Sequence, residues 1–166
     1  MNKRNPILLV LSQCLFLSCS SEEPKPMSLE KVELPSLALP VDRLPETKLR
    51  LPNGKILNVE LAQSSQEHSL GLMFRTELDP DSGMLFIFPH QEERQFWMKN
   101  TLIDLDMVFI DRNKKITKIY ERVPRSETTT PESMIARRSG AAQFVLEMSA
   151  GAVKRYKLKI GETLGF

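Results

Sequence analysis

The chain has 166 residues, enough for one domain with its own core and too few for two. It carries 23 Lys+Arg against 21 Asp+Glu, and Lys3 and Arg4 account for the whole excess, leaving 21 against 21. That balance argues against a nucleic-acid binder that works through a basic surplus.

Lys3 and Arg4 open a segment whose apolar run, Ile7 to Leu17, has signal-peptide length and is too short to span a bilayer. The run ends at Phe16-Leu17-Ser18-Cys19, and the polar, proline-containing stretch Ser20-Ser21-Glu22-Glu23-Pro24 follows. This ending resembles a bacterial lipoprotein signal, although Phe16 and Leu17 are bulkier than the usual pattern. The resemblance implies cleavage before Cys19 and acylation of Cys19. Residues 1–18 are therefore expected to be a signal peptide, and residues 19–46 a lipidated cysteine with a proline-rich tether. The β-rich domain is expected over residues 47–166.

The expected location is the cell envelope, anchored by lipid. Ser20 follows Cys19 where aspartate favours inner-membrane retention, so the outer membrane is preferred. Cys14 leaves with the signal and Cys19 is consumed by acylation. No disulfide or thiolate metal site is then expected in the domain.

Pro24, Pro26, Pro35, Pro40 and Pro45 mark the tether as a semi-stiff spacer reaching roughly 30 Å. Strand-like runs Lys48 to Leu51 and Lys55 to Leu61 flank Pro52-Asn53-Gly54, a strong hairpin signal because both Asn and Gly accept positive φ. Ser64-Ser-Gln-Glu67 predicts a capping box at the start of a helix that runs to about Phe74. Met84 to Phe88 reads as a buried strand and Pro89 to Gln95 as a polar loop. Phe96 to Ile110 reads as one bent strand or two short ones. Ile116 to Arg122 is a further strand. Residues 123–141 form a long polar loop of a kind that is often functional. Phe144 to Met148 is a strand, Ala150 to Tyr156 a short helix, and Gly161 to Phe166 a turn and a strand. The many short strands predict a mainly β domain, a single sandwich or distorted barrel with one or two short helices.

Five blocks then stand in order: Gly71-Leu-Met-Phe-Arg75, Ser82-Gly-Met-Leu-Phe86, Phe96-Trp-Met-Lys-Asn-Thr101, Leu105-Asp-Met-Val-Phe-Ile110 and Phe144-Val-Leu-Glu-Met-Ser-Ala-Gly151. Together they resemble the family catalogued as domain of unknown function 192, from about residue 47 to the end. The resemblance implies a jelly-roll-like sandwich or distorted barrel and no established activity. Asp104 stands where that family usually has proline, and the stretch between Pro124 and Gln143 lacks the cysteines many members carry.

Strand alternation from Asn100 would put Asn100, Asp104 and Asp106 on one face, with the two carboxyls about 7 Å apart. Such a pair suits acid–base hydrolysis or a hard cation. Capping or solvent contact is the plainer reading and is favoured for Asp104; for Asp106 the two readings stand level. Arg75 is expected to pair with Asp106 or Glu147, or to take an anionic ligand bidentately. Trp97 and Met98 have opposite parity, so one faces the core, with Trp97 the expected core member; beside Lys99 and Asn100, Trp97 also suits sugar or peptide binding. His68 and His90 give no metal-ligand spacing, and no phosphate loop, dinucleotide motif or nucleophile elbow occurs.

The reading that follows is a non-catalytic binding module for a small polar ligand, glycan or peptide, with ligand-binding candidates Arg75, Trp97, Asn100, Asp106 and Glu147. A structural or assembly role of the 123–141 loop in the envelope ranks second. A hydrolase using Asp106 with Glu147 or Asp104 ranks third. The expected partner is the membrane, through acylated Cys19, with a small ligand, glycan or envelope protein beside it. No metal, cofactor or nucleic acid is expected.

Overall fold

The computed structural model describes residues 44–166, so the expected signal peptide, Cys19 and most of the expected tether lie outside the described residues. Six strands run in the order β1 (Glu46–Arg50), β2 (Ile56–Ala62), β3 (Ser82–Trp97), β4 (Leu105–Ile110), β5 (Ile116–Val123) and β6 (Arg137–Ser149). Two short helices join them, α1 (Ser65–Leu70) and α2 (Ala152–Tyr156). The strands form one sheet ordered β1-β2-β3-β6-β4-β5. Only β2 and β3 pair in parallel; the other neighbours are antiparallel. The expected mainly β domain with short helices is met. The sheet is not closed into a barrel. The C-terminal segment instead links its two edges, with Gly165 bridged to Arg50 at the end of β1 and Thr163 bridged to Lys115 before β5.

Local signals explain the first elements. Gly54 takes φ 84° and donates its N–H to the Leu51 carbonyl at 2.9 Å, closing the β1–β2 hairpin. The Ser64 hydroxyl accepts the Glu67 N–H at 3.2 Å, and the Glu67 carboxylate accepts the Ser64 N–H at 2.7 Å. This is the predicted capping box, and the backbone donors of Ser64 and Gln63 hold the Glu67 carboxyl below its ordinary range. The helix ends at Leu70, short of the expected Phe74, because Gly71 (φ 46°) and Phe74 (φ 63°) turn the chain through the left-handed region.

Long-range pairing extends two elements beyond the sequence reading. The polar stretch Pro89 to Gln95 is not a loop but part of the 16-residue β3. Strand β6 pairs with both halves of it, from Gly83↔Met148 to Ile87↔Phe144 and from Glu92↔Ala142 to Trp97↔Arg137. The register shift between Ile87 and Glu92 absorbs Pro89, which has no N–H for a ladder. For the same reason β6 begins at Arg137 rather than Phe144, and the expected 123–141 loop shrinks to 124–136. That loop is held down by Ser126, whose N–H reaches the Thr101 carbonyl at 2.9 Å and whose hydroxyl bonds the Met98 carbonyl.

Both faces of the sheet are covered. On one, Leu57, Leu85, Val108, Ile110 and Leu146 pack against Val153 and Tyr156 of α2 and Leu164 of the C-terminal segment. On the other, Met84, Phe86, Met107, Phe109 and Val145 pack beneath Leu72, Met98 and Ile135 from the connections. Strand β4 is buried on both faces, which explains why all its residues but Asp106 are apolar.

Candidate functional site

The second face carries polar groups that an apolar layer does not require. The register sets Glu46 opposite Glu60, Glu60 opposite Met84, Met84 opposite Glu147, and Glu147 opposite Met107. Directly paired residues project to the same side, so three glutamates lie in one row across four strands and two methionines flank the innermost.

The outer part of that row opens to solvent. A cleft of about 610 Å³ is lined by Glu46, Glu60, Arg75, Glu77, Leu78, Asp79 and Ser82. Arg75 grips Glu60 bidentately, with Nη1 and Nη2 at 2.5 and 2.6 Å from the two carboxylate oxygens. The guanidinium fork is thus occupied by Glu60, not by Asp106 or Glu147 as the sequence suggested. With that pair neutralised, Glu46, Glu77 and Asp79 leave the lining acidic, and such a cleft favours positively charged ligands.

The inner part is closed. Glu147 is 5% exposed, and no hydrogen-bond donor reaches its carboxyl among the described residues. Burial pushes this group up to about 8, so it is held as the neutral acid at neutral pH. Two residues on, Ser149 projects to the same face, and its buried hydroxyl also has no partner among the described residues.

The remaining sequence candidates separate. Asp106 pairs with Met148 in the ladder and projects to the α2 face, opposite to Glu147. It is fully buried and accepts the N–H of Arg122 on one oxygen and that of Val153 on the other, each at 2.8 Å. Asp104 is exposed and accepts the Arg125 N–H at 2.9 Å, a loop-capping role. Asn100 does not share a strand with either, because β4 starts only at Leu105 and Asn100 sits in a turn with φ 52°. Its carbonyl accepts the Phe74 N–H at 2.8 Å, which joins two left-handed non-glycine residues beside Arg75. Met98 takes the core position and Trp97 the surface, with 36% exposure, reversing the assignment expected for Trp97. The structure therefore puts Glu147 on the second face, and Arg75 there through Glu60, holds Asn100 beside Phe74 through its carbonyl, and sends Trp97 and Asp106 elsewhere. Asp106 and Glu147 cannot face a common cleft across the sheet, nor does Asp104 join either of them.

Sequence reading missed Glu60, Phe74, Glu77, Asp79 and Ser82. A signal for Glu60 was present: Leu57, Val59 and Leu61 alternate with Asn58 and Glu60, so Glu60 lies on the polar side of β2. Among the described residues, no group of three or more His, Cys, Asp or Glu is arranged to hold a metal ion.

This combination of one mixed six-stranded sheet, two short helices and a polar row under a covered face defines a β-rich domain class without an assigned chemistry. The chain belongs to the family described as uncharacterized ACR, domain of unknown function 192, whose family model matches residues 48–166. A protein of unknown function from Novosphingobium aromaticivorans DSM 12444 is similar in structure, with a TM-score of 0.65 and 29% identity over 76% of this chain and 89% of that one. A protein from Sinorhizobium meliloti 1021, provisionally described as a transcription regulator, is similar with a TM-score of 0.58 and 34% identity, over 71% and 89% of the two chains. No curated protein matches this chain.

Proposed function

We propose that this chain is a lipid-anchored binding protein of the cell envelope. In this reading its β domain takes a small ligand with a cationic group, such as a primary amine, in the cleft beside Arg75. One observation carries the binding reading: a cleft of about 610 Å³ in which, among the described residues, the one lining cation is already paired with Glu60 and the remaining charges are acidic. Ligand pockets of several hundred Å³ with a few convergent polar groups are the usual form of a small-molecule site. The anchor reading rests on the sequence around Cys19, and the preference for the outer membrane rests on Ser20.

Calorimetric titration with small amines, matched against neutral and anionic analogues of equal size, tests the ligand class. Amines should bind, and Glu77→Gln with Asp79→Asn should weaken them at least tenfold. Equal binding of the neutral analogues would sink this reading. Metabolic labelling with a palmitate analogue should tag the chain, and Cys19→Ala should abolish the tag; a label that survives the substitution removes the anchor.

A further inference from the structure

Strand β3 has two chemically opposite ends. Ser82, its first residue, lines the acidic cleft. Trp97, its last, stands on the surface among cations. The Lys99 Nζ lies 4.9 Å from the Trp97 ring centroid and the Arg137 guanidinium carbon 5.2 Å from it. One ladder position back, Phe96 faces Arg138, which lies 5.4 Å from the Tyr120 ring centroid; Lys118 Nζ lies 5.1 Å from the same ring. Lys99 and Arg137 thus flank Trp97 where β3 ends and β6 begins, while Arg138 and Lys118 lie at Tyr120, on the Phe96 side of the sheet. Among the described acids, Glu132 alone ion-pairs with these cations, meeting Arg137 at 3.0 Å with both side chains well exposed. Met134 is 74% exposed, and the bond from the Met98 N–H to the Ala136 carbonyl at 3.0 Å holds its segment beside Trp97.

An exposed tryptophan, an exposed thioether and a surplus of Lys and Arg match one kind of surface. Indole settles at the boundary between headgroups and acyl chains, and cations neutralise lipid phosphates. We propose that this end of the domain docks on an anionic bilayer, with Trp97 and Met134 at headgroup depth and Lys99 and Arg137 against the phosphates. The acidic cleft at the other end of β3 is then repelled from the same surface. The docking contact is separate from any acyl chain on Cys19 and does not depend on the ligand assigned to the cleft.

Trp97 is the only tryptophan of the chain, so its emission reports the contact directly. Residues 44–166 lie within one compact unit, so a chain that starts at Ser20 keeps all of them and carries no acyl group. With vesicles of equal phosphatidylglycerol and phosphatidylcholine at low salt, the emission should shift to the blue and the protein should sediment with the lipid. About 1 M salt, where the screening length is about 3 Å, should reverse both. Lys99→Glu with Arg137→Glu should weaken the binding at least tenfold. No shift at low salt, equal binding to pure phosphatidylcholine, or a double variant that binds as the parent does would each overturn the proposal. So would a shift with heparin and none with vesicles, which would assign the patch to a soluble polyanion. If the double variant does not fold, quenching of Trp97 by brominated lipid in the parent chain decides: quenching supports docking, and its absence refutes it.

Discussion

The Asp106 carboxyl accepts the Val153 N–H at 2.8 Å and thereby fastens the start of α2 to β4. Its other oxygen accepts the N–H of Arg122, a residue at φ 49° where the β4–β5 register slips. The short helix α2 begins at Gly151 with no side-chain cap of its own, and Asp106 supplies from a distant strand the acceptor that a local cap would give. Asp106→Ala strands two backbone donors next to a cavity and should lower stability by about 3–5 kcal/mol. Asp106→Asn keeps one acceptor and should cost less. Urea denaturation measures both; a fully stable Asp106→Ala protein that no longer binds ligand would return this residue to the site.

Glu147 makes stability depend on pH in an unusual direction for a carboxyl group. Its folded value, about 8, lies above the ordinary value of 4.5, so the folded state binds the proton more tightly than the unfolded chain. Below about pH 4.5 both states are protonated and the group costs nothing. Between there and about pH 8 the unfolded chain ionises first, and stability falls by on the order of 1.4 kcal/mol per pH unit. Above about pH 8 the loss levels off. Glu147→Gln removes this dependence and should be more stable than the parent at pH 8. Denaturation midpoints for both proteins across pH 5 to 9 check it, and parallel curves would refute it.

Gly83 has no room for a side chain, since an added Cβ would lie 2.6 Å from the Glu147 carbonyl oxygen. Both atoms belong to the central β3–β6 ladder, so the strain cannot be relieved by turning a side chain. Gly83→Ala should cost about 2 kcal/mol or more, measured as a lowered melting temperature. Gly54→Ala meets no atom within 4 Å but holds φ 84°; its cost of about 1 kcal/mol is backbone strain alone.

The Arg75–Glu60 pair separates binding from folding. It is partly exposed, so its net contribution to stability is under about 1 kcal/mol. Arg75→Ala should therefore melt near the parent temperature while making the cleft more acidic and altering amine affinity. Arg75→Lys should not restore the parent behaviour, because an ammonium cannot reproduce the two parallel bonds to Glu60. Titration beside a melting curve distinguishes these outcomes.

Part of this protein was legible residue by residue. Asn53-Gly54 placed the first hairpin and Ser64 with Glu67 placed the helix start, because turns and caps are decided by atoms a few residues apart. The opposite parity of Trp97 and Met98 placed them on different sides, though not which side was buried. The continuous apolar run Met84 to Phe88 announced a buried strand, and it forms the first half of β3.

What the sequence could not decide was pairing. Only β6 lying along all of β3 makes a strand of the polar stretch from Pro89 to Gln95, and only the register of β6 against β4 sends Asp106 and Glu147 to opposite faces. The choice of Glu60 as the partner of Arg75 depends likewise on β2 lying parallel to β3, across residues far apart in the chain. Local chemistry determined the turns, the caps and the alternation. The tertiary structure decided which polar groups are sealed, which are paired and which face a cleft, because hydrogen bonding and desolvation depend on neighbours that sequence separation does not reveal.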